Sequence, residues 1–531
     1  MNAPAPRAGS GTALVERVAL VLALAIAACA MAEVRGYLTD DTFIHLQYAR
    51  HLAAGAGPVF NLGERVYGCT SPLWIALIAL GIRLGGDGLV VAKVLGGAAT
   101  LCSVALFFLL VHRTLGSAWL RAGATVAWAA NAWMLRWSLS GMETPLAVAL
   151  TLAGFASLAA DEARDATSAG PRARTGVLWA LAALARPEAL LVAVAWALLP
   201  LADPARRARP ARLLAAWWPA ALILGAWLLF ARAYYGALWP QTLSAKAAGS
   251  GGLPGILDDL RRMAGIVGAS DAVVVALLVV GLAAAFRGRR RAAAPDAARA
   301  RGLTLDLLPW VWVLGVPALY LARGVPVLSR YMVPVLPVLA WQAWRVAERA
   351  GLASPGERAA TARAAWIAPL IAVLTLAENA VVFRTLVVPQ VTSFTRGMEQ
   401  SLIPFGRWLG RHAPRDASVA TPDIGAIGYL SERKVIDLGG LITPRMVPLL
   451  ERAPFEDVLA RFAFADFARP AFVLDRAAAA GDLLRRSPNA AALAIVDSAA
   501  VPNLGIARPG RVVYTLYRVD WQRLDAERGR R

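Results

Sequence analysis

The run Val18-Ala-Leu-Val-Leu-Ala-Leu-Ala-Ile-Ala-Ala-Cys-Ala-Met-Ala32 holds no ionisable side chain. Leu89–Val111, Leu213–Phe230, Ala272–Phe286 and Ile367–Val382 are nearly as bare. Lipid offers no partner for a backbone N–H or C=O, so a chain crosses a bilayer core as helices of about 20 apolar residues. With their flanks several of these runs reach that length, and one soluble core could not hide them all. The 531 residues are 58% hydrophobic and 17% charged, against roughly a quarter charged in an ordinary soluble domain. The expected fold is an all-α polytopic membrane protein.

The net charge of +20 does not point to nucleic acid, because the arginines sit in short loops between apolar segments. Arg206-Arg207-Ala-Arg209, Arg287-Gly-Arg289-Arg290-Arg291 and Arg345 through Arg363 have the pattern of loops kept in the cytoplasm. Membrane lipids with anionic headgroups are their expected partners. Cys29, Cys69 and Cys102 are too few for a disulfide framework and lack metal-ligand spacing. Residues 18–32 also have the look of a signal-peptide core, and Ile26-Ala-Ala-Cys29 that of a lipoprotein processing site. The reading kept is an uncleaved first helix.

With the Arg-rich loops inside, helices near 213–233, 271–286, 304–321, 330–347 and 364–388 alternate. Residues 234–270, 322–329 and everything after about 389 then face outward, as do residues 33–71 after the first helix. Further apolar segments lie near 72–84, 88–112, 119–137, 143–160 and 175–200, the last being one helix or two broken at Arg186-Pro187-Glu188. The count is 11 spans, with residues 161–174 assignable to either side. Residues 1–389 form the expected transmembrane domain and 390–531 a small extracytoplasmic α/β domain, since Gly, Pro and charge return there. Within it Ser418–Thr421, Lys434–Asp437, Ala471–Leu474 and Arg511–Arg518 read as strands, and 448–464 and 478–486 as helices.

The first outward loop carries Thr39-Asp40-Asp41-Thr-Phe-Ile-His45-Leu-Gln-Tyr48-Ala-Arg50-His51. Adjacent carboxylates at the membrane surface repel, which raises a pKa and suits a general base. Asp41, His45 and Tyr48 fall at i, i+4 and i+7, on one face of a helix. Helix capping by Thr39 or Asp40 explains the same spacing equally well.

The first loop as a whole, Asp40-Asp41-Thr-Phe-Ile through Gly57-Pro-Val-Phe-Asn61-Leu-Gly-Glu64-Arg65 to Gly68-Cys-Thr70-Ser71-Pro72-Leu-Trp74, resembles that of the GT-C glycosyltransferases. It is most similar to the terminal arabinofuranosyltransferase-like branch. Ser140-Gly-Met-Glu143-Thr-Pro-Leu, Ala185-Arg186-Pro-Glu188, Tyr234-Tyr235-Gly through Trp239-Pro240-Gln241-Thr242 to Lys246, Ser329-Arg330-Tyr331, and Pro422-Asp423-Ile-Gly425 extend the likeness over most of the chain. It implies a membrane glycosyltransferase acting in cell-wall biogenesis at the outer face of the bacterial inner membrane. The donor would be a polyprenyl-phosphate sugar, a pentofuranose or a hexose, and the acceptor an envelope glycan, lipid or protein.

On that resemblance Asp40 or Asp41 takes the acceptor proton, and Lys246 and Arg330 hold the donor phosphate, arginine being suited to bidentate phosphate pairing. Other roles for these cations are a solvated loop charge for Lys246 and an interfacial anchor for Arg330. His45, Tyr48, Arg50, Glu143, Tyr235, Thr242, Tyr331 and Asp423 are the weaker substrate-binding candidates. Glu143 serves either as a helix cap or for sugar hydroxyls, Arg186 and Glu188 satisfy each other at the Pro187 break, and Asp423 fits an Asx-turn. Gln241 stands where the family more usually has Asn, and Cys69 where it has an aromatic or small residue. No metal or other cofactor is expected, because two carboxylates alone bind a divalent cation weakly. The rival readings are a flippase for lipid-linked sugar, which calls for inverted repeats not visible here, and a non-catalytic envelope scaffold.

Overall fold

The computed structural model describes residues 10–163, 172–202, 207–241, 253–289, 303–352, 358–502 and 510–528. Among them, six helices are long and apolar enough to cross a membrane, or seven if the bent pair Pro254–Ser270 and Ala272–Arg287 is one span. The remaining apolar segments are short or broken, which is why they fall below the 11 expected from composition. Helices α5 (Ala118–Ala129) and α6 (Ala132–Ser138) part at Asn131, whose side chain accepts from Met134 N. Helices α8 (Ala173–Ala185) and α9 (Ala189–Leu198) part at Pro187, so 175–200 is two helices. Pro334 and Pro337 lie where Ser329–Met332 gives way to Leu336–Ala347, as the missing N–H of proline dictates.

The expected outward loop 234–270 contains a helix, Leu253–Ser270, bent by 94° from its successor. Its charged face disguises it as loop in the sequence. Buried Asp259 on this helix accepts from Val327 N at 3.2 Å.

The first span is α1 (Ser10–Glu33), and α2 (Asp40–Ala53) follows it. Thr39 is the N-cap of α2, its hydroxyl accepting from Thr42 N. The chain then runs through α3 (Pro72–Arg83), α4 (Gly88–Thr114) and α7 (Thr144–Ala163). One buried core joins the spans. A second joins α2 and the rest of the first loop (Phe43, Leu46, Tyr48, Phe60) to Ile424, Ile427 and Val435 far along the chain.

Beyond the spans lies a five-stranded sheet of β1 (Ser418–Thr421), β2 (Lys434–Asp437), β3 (Phe472–Ala477), β4 (Leu493–Val501) and β5 (Val512–Val519). Its order is β2-β1-β3-β5-β4, with β1 parallel to β2 and β3, and β5 antiparallel to β3 and β4. The stretches read as helices at 448–464 and 478–486 are shorter pieces, Val447–Arg452, Phe455–Ala460 and Asp482–Arg486. The division expected near residue 390 falls inside a helical run that continues through Val388–Gln400.

The helix Gly425–Ser431, between β1 and β2, docks on α2. Asp40 accepts from Gly425 N at 2.9 Å and Ala426 N at 2.8 Å. Arg50 donates to Tyr429 O and pairs with Glu432 at 3.0 Å. Asn61 makes a two-way clasp with Val435, 2.9 Å in each direction. Gly425 is required here, because a Cβ would stand 1.9 Å from Asp40 O.

Candidate active site

A cavity of about 310 Å³ opens where the first loop, the ends of several spans and the sheet domain meet. Helix α2 supplies Asp41 and His45, the entry to α7 supplies Glu143, and the α8–α9 break supplies Arg186 and Glu188. Tyr320 and Arg323 come from the last turn of the helix Leu303–Arg323, Arg330 and Tyr331 from the short helix Ser329–Met332, Trp239 from just beyond the helix Pro210–Tyr235, and Leu441 from the sheet domain.

Asp40 and Asp41 are neighbours with different fates. Successive helical residues point about 100° apart, and only Asp41 turns into the cavity. Its carboxylate pairs with the buried guanidinium of Arg330 at 2.5 Å. Asp40 instead holds the first two N–H groups of Gly425–Ser431, so capping is realised on a different helix from its own. Burial, then the neighbouring Asp423, push the Asp40 carboxyl up to about 7 against the two N–H bonds that favour its charge.

A second ion cluster lies behind. Arg186 donates to Glu143 and to Glu188, each at 2.9 Å, and to the Tyr320 hydroxyl at 2.9 Å. Tyr320 also hydrogen-bonds Glu188 and stacks on Tyr331 with centroids 4.8 Å apart. The guanidinium carbons of Arg186 and Arg330 both lie 5.2 Å from the Tyr331 ring centroid. Arginines 186, 323 and 330 thus face Asp41, Glu143 and Glu188 across the described lining. Such a cavity orients charge without a large field of either sign.

His45 faces Glu143 at 3.9 Å, and burial holds its imidazole below the usual range, hence neutral near pH 7. Cys69 also lines the cavity, and burial pushes its thiol up to about 12, so it stays protonated.

The other sequence candidates fall elsewhere. Tyr48 is buried and its hydroxyl donates to Val66 O. Arg50 lies over the Tyr429 ring and ties α2 to the sheet domain. Tyr235 stacks on Tyr67 at 4.8 Å and donates to Pro58 O. Asp423 takes both oxygens to Arg476, at 2.8 and 2.7 Å, and accepts from the Tyr514 hydroxyl, so its carboxylate serves an ion pair where an Asx-turn was expected. Lys246 and Thr242 lie outside the described residues. Tyr320 and Arg323 were missed. The signal for Arg323 was its place beside Arg330 in a short outward loop, where the positive-inside rule disfavours arginine. Among the described residues no three His, Cys, Asp or Glu side chains group as metal ligands.

The family described as a domain of unknown function (DUF8728) matches residues 393–522. A terminal β-(1→2)-arabinofuranosyltransferase of Corynebacterium glutamicum is 30% identical over 243 residues, 40% of this chain and 34% of that protein. The protein of the same name in Mycobacterium tuberculosis is 48% identical over 52 residues, 10% of this chain and 8% of that protein. The chain therefore spans at most about a third of the length of these curated relatives. Among solved structures, apo ArnT from Cupriavidus metallidurans superposes with a TM-score of 0.51 at 14% identity, over 93% of this chain and 97% of that one. The oligosaccharyltransferase of Archaeoglobus fulgidus, tethered to an acceptor peptide, gives 0.55 at 13% identity, over 86% and 69%. At these identities the likeness is one of fold. The chain is a multi-pass membrane protein with the GT-C glycosyltransferase fold, and in sequence it resembles the terminal arabinofuranosyltransferases.

Proposed function

We propose that this protein transfers a single sugar from a polyprenyl phosphate to a hydroxyl of an envelope glycan, lipid or protein, with Asp41 as the base and no metal. The single observation that carries the reading is the pairing of a cavity-facing carboxylate with a buried arginine, Asp41 with Arg330, in a GT-C fold. The 30% identical relative favours a pentofuranose. The Arg-rich loops support an orientation in which the cavity and the sheet domain face outward from the inner membrane, the extracytoplasmic domain following the helical run that passes through residue 390.

The step balances as follows. The acceptor O–H gives its proton to Asp41, its oxygen bonds the anomeric carbon, and the carbon–oxygen bond to phosphate breaks, leaving polyprenyl phosphate and an inverted sugar. The charge growing on the leaving phosphate needs a fixed cation, which Arg330 supplies, its planar guanidinium suiting two phosphate oxygens at once. A phosphate arriving at Arg330 competes with Asp41 for that guanidinium and so releases the carboxylate for proton transfer. Lys246 remains a second candidate for the phosphate on sequence alone.

The test is transfer from polyprenyl-phosphate arabinofuranose in membranes carrying the full chain. Asp41→Asn should insert normally and lose transfer by about 10²-fold or more, while Asp40→Asn keeps measurable transfer. Full activity of Asp41→Asn removes this carboxylate from the chemistry.

A further inference from the structure

Proton transfer and phosphate binding leave one part of the cavity without a task. His45, one turn beyond Asp41 on α2, is 7% exposed, and Glu143 is 4% exposed. His45 Nδ1 and Glu143 Oε2 have no hydrogen-bond partner, although the large majority of buried polar atoms in folded proteins have one. His45 Nε2 and Glu143 Oε2 face each other at 3.9 Å, beyond hydrogen-bond reach. Glu143 is nonetheless firmly held. Arg186 donates to its Oε1 at 2.9 Å and is itself fixed by Glu188 and Tyr320. One carboxylate oxygen is anchored, and the other is left toward the histidine.

Resting on the transferase reading above, we propose that His45 and Glu143 form a subsite that selects the transferred sugar by binding one of its hydroxyls. A hydroxyl oxygen about 2.8 Å from both His45 Nε2 and Glu143 Oε2 is compatible with their 3.9 Å separation. Oε2 is closed to water as the cavity stands, so the hydroxyl enters as the two side chains turn apart. The chemistry of the pair asks for a group that both donates and accepts. Glu143 Oε2 only accepts, whereas neutral imidazole has one N–H donor and one acceptor nitrogen, and His45 is neutral because it is buried. An ammonium on an amino sugar only donates, and it would lie among the guanidiniums of Arg186 and Arg330. A carboxylate or phosphate would meet Glu143 head on. Asp41 and His45 are four residues apart on α2, a rise of about 6 Å, so one sugar can bridge the base and this subsite. Arg186 acts here as a positioning residue.

The experiment uses the full chain in membranes, with polyprenyl-phosphate arabinofuranose and analogues each lacking one hydroxyl. A site built around a sugar hydroxyl rejects the analogue without it strongly, by about 10⁴-fold where the fit is best, so wild type should discriminate against one analogue by about 10²-fold or more. His45→Ala, which leaves the Arg186 contacts intact, and Glu143→Gln should each cut that ratio at least about tenfold and leave the ratios for the other analogues unchanged. Binding of polyprenyl phosphate without sugar should be the same in His45→Ala as in wild type, which a collapsed cavity would not give. Wild type treating all analogues alike, or variants keeping the full ratio, overturns the subsite and leaves the transferase standing. Failure of wild type to use any of these donors or the corresponding polyprenyl-phosphate hexoses overturns the transferase reading, and the subsite with it.

Discussion

Gly425 lies in the sheet domain, yet its replacement should be felt at Asp41. The helix Gly425–Ser431 approaches α2 so closely that a Cβ on residue 425 would stand 1.9 Å from Asp40 O and 2.8 Å from Asp40 C. Neither atom is the movable end of a side chain; both belong to the backbone at the first turn of α2. To restore even a tight contact of about 3 Å, the start of α2 must retreat by about 1 Å. Asp41 is the next residue, and a misplacement of about 1 Å at a reacting group costs on the order of 10²-fold. Gly425→Ala is therefore expected to lower kcat for sugar transfer by about 10- to 100-fold, and overpacking of this kind destabilises by about 1–3 kcal/mol. The assay is transfer in membranes at matched expression, with hydrogen exchange of α2 amides as a readout that needs no substrate. Gly265→Ala is the control, since nothing lies within 4 Å of its Cβ position. A Gly425→Ala protein with wild-type kcat and unaltered exchange in α2 would refute the idea that the sheet domain positions the base.

Arg330→Lys keeps the charge but loses the planar fork; donor KM should rise about tenfold, and an unchanged KM would remove Arg330 from phosphate binding. Asn61→Ala breaks both hydrogen bonds to Val435, leaving a buried N–H and C=O unpaired at about 1–3 kcal/mol; thermal unfolding in detergent should fall accordingly, and no change would show that the clasp contributes nothing. Asp40 and Asp437, each with an ordinary value of 3.8, are pushed up to about 7 and about 6, mainly by burial. Both hold their protons more tightly when folded, so this stabilisation is whole below about pH 4 and is lost as pH rises through 6 and 7. Melting of the sheet domain should therefore fall between about pH 4 and 7 and level off above that, less steeply in Asp40→Asn; parallel curves for the two proteins would refute the assignment.

Much of this was readable from residue order because it is local. Ser418–Thr421 and Lys434–Asp437 are strands to the residue, since short β-branched and apolar runs bounded by turns leave few choices. Asp41 and Arg330 were both named, but as base and phosphate ligand separately; that they touch depends on the fold, not on spacing. The Glu143–Arg186–Glu188–Tyr320 cluster draws on three distant segments, and no periodicity announces it. Strand β4 was missed because Leu493–Val501 is an edge strand with a bulge between Ile495 and Asp497, which breaks the alternation that marks a strand. Asp40 and Asp41 were indistinguishable in sequence, and only packing against Gly425 separates them.

The bonds from Asp40 to Gly425 and Ala426 span 385 and 386 positions of chain, and this has a cost in time. At a synthesis rate of about 5–20 residues per second, α2 waits on the order of tens of seconds for the helix that fixes it. All the spans between are made first. The first-loop wall of the cavity is consequently pinned only after every span before Gly425 has been made, so threading of the chain through the bilayer precedes the docking of α2.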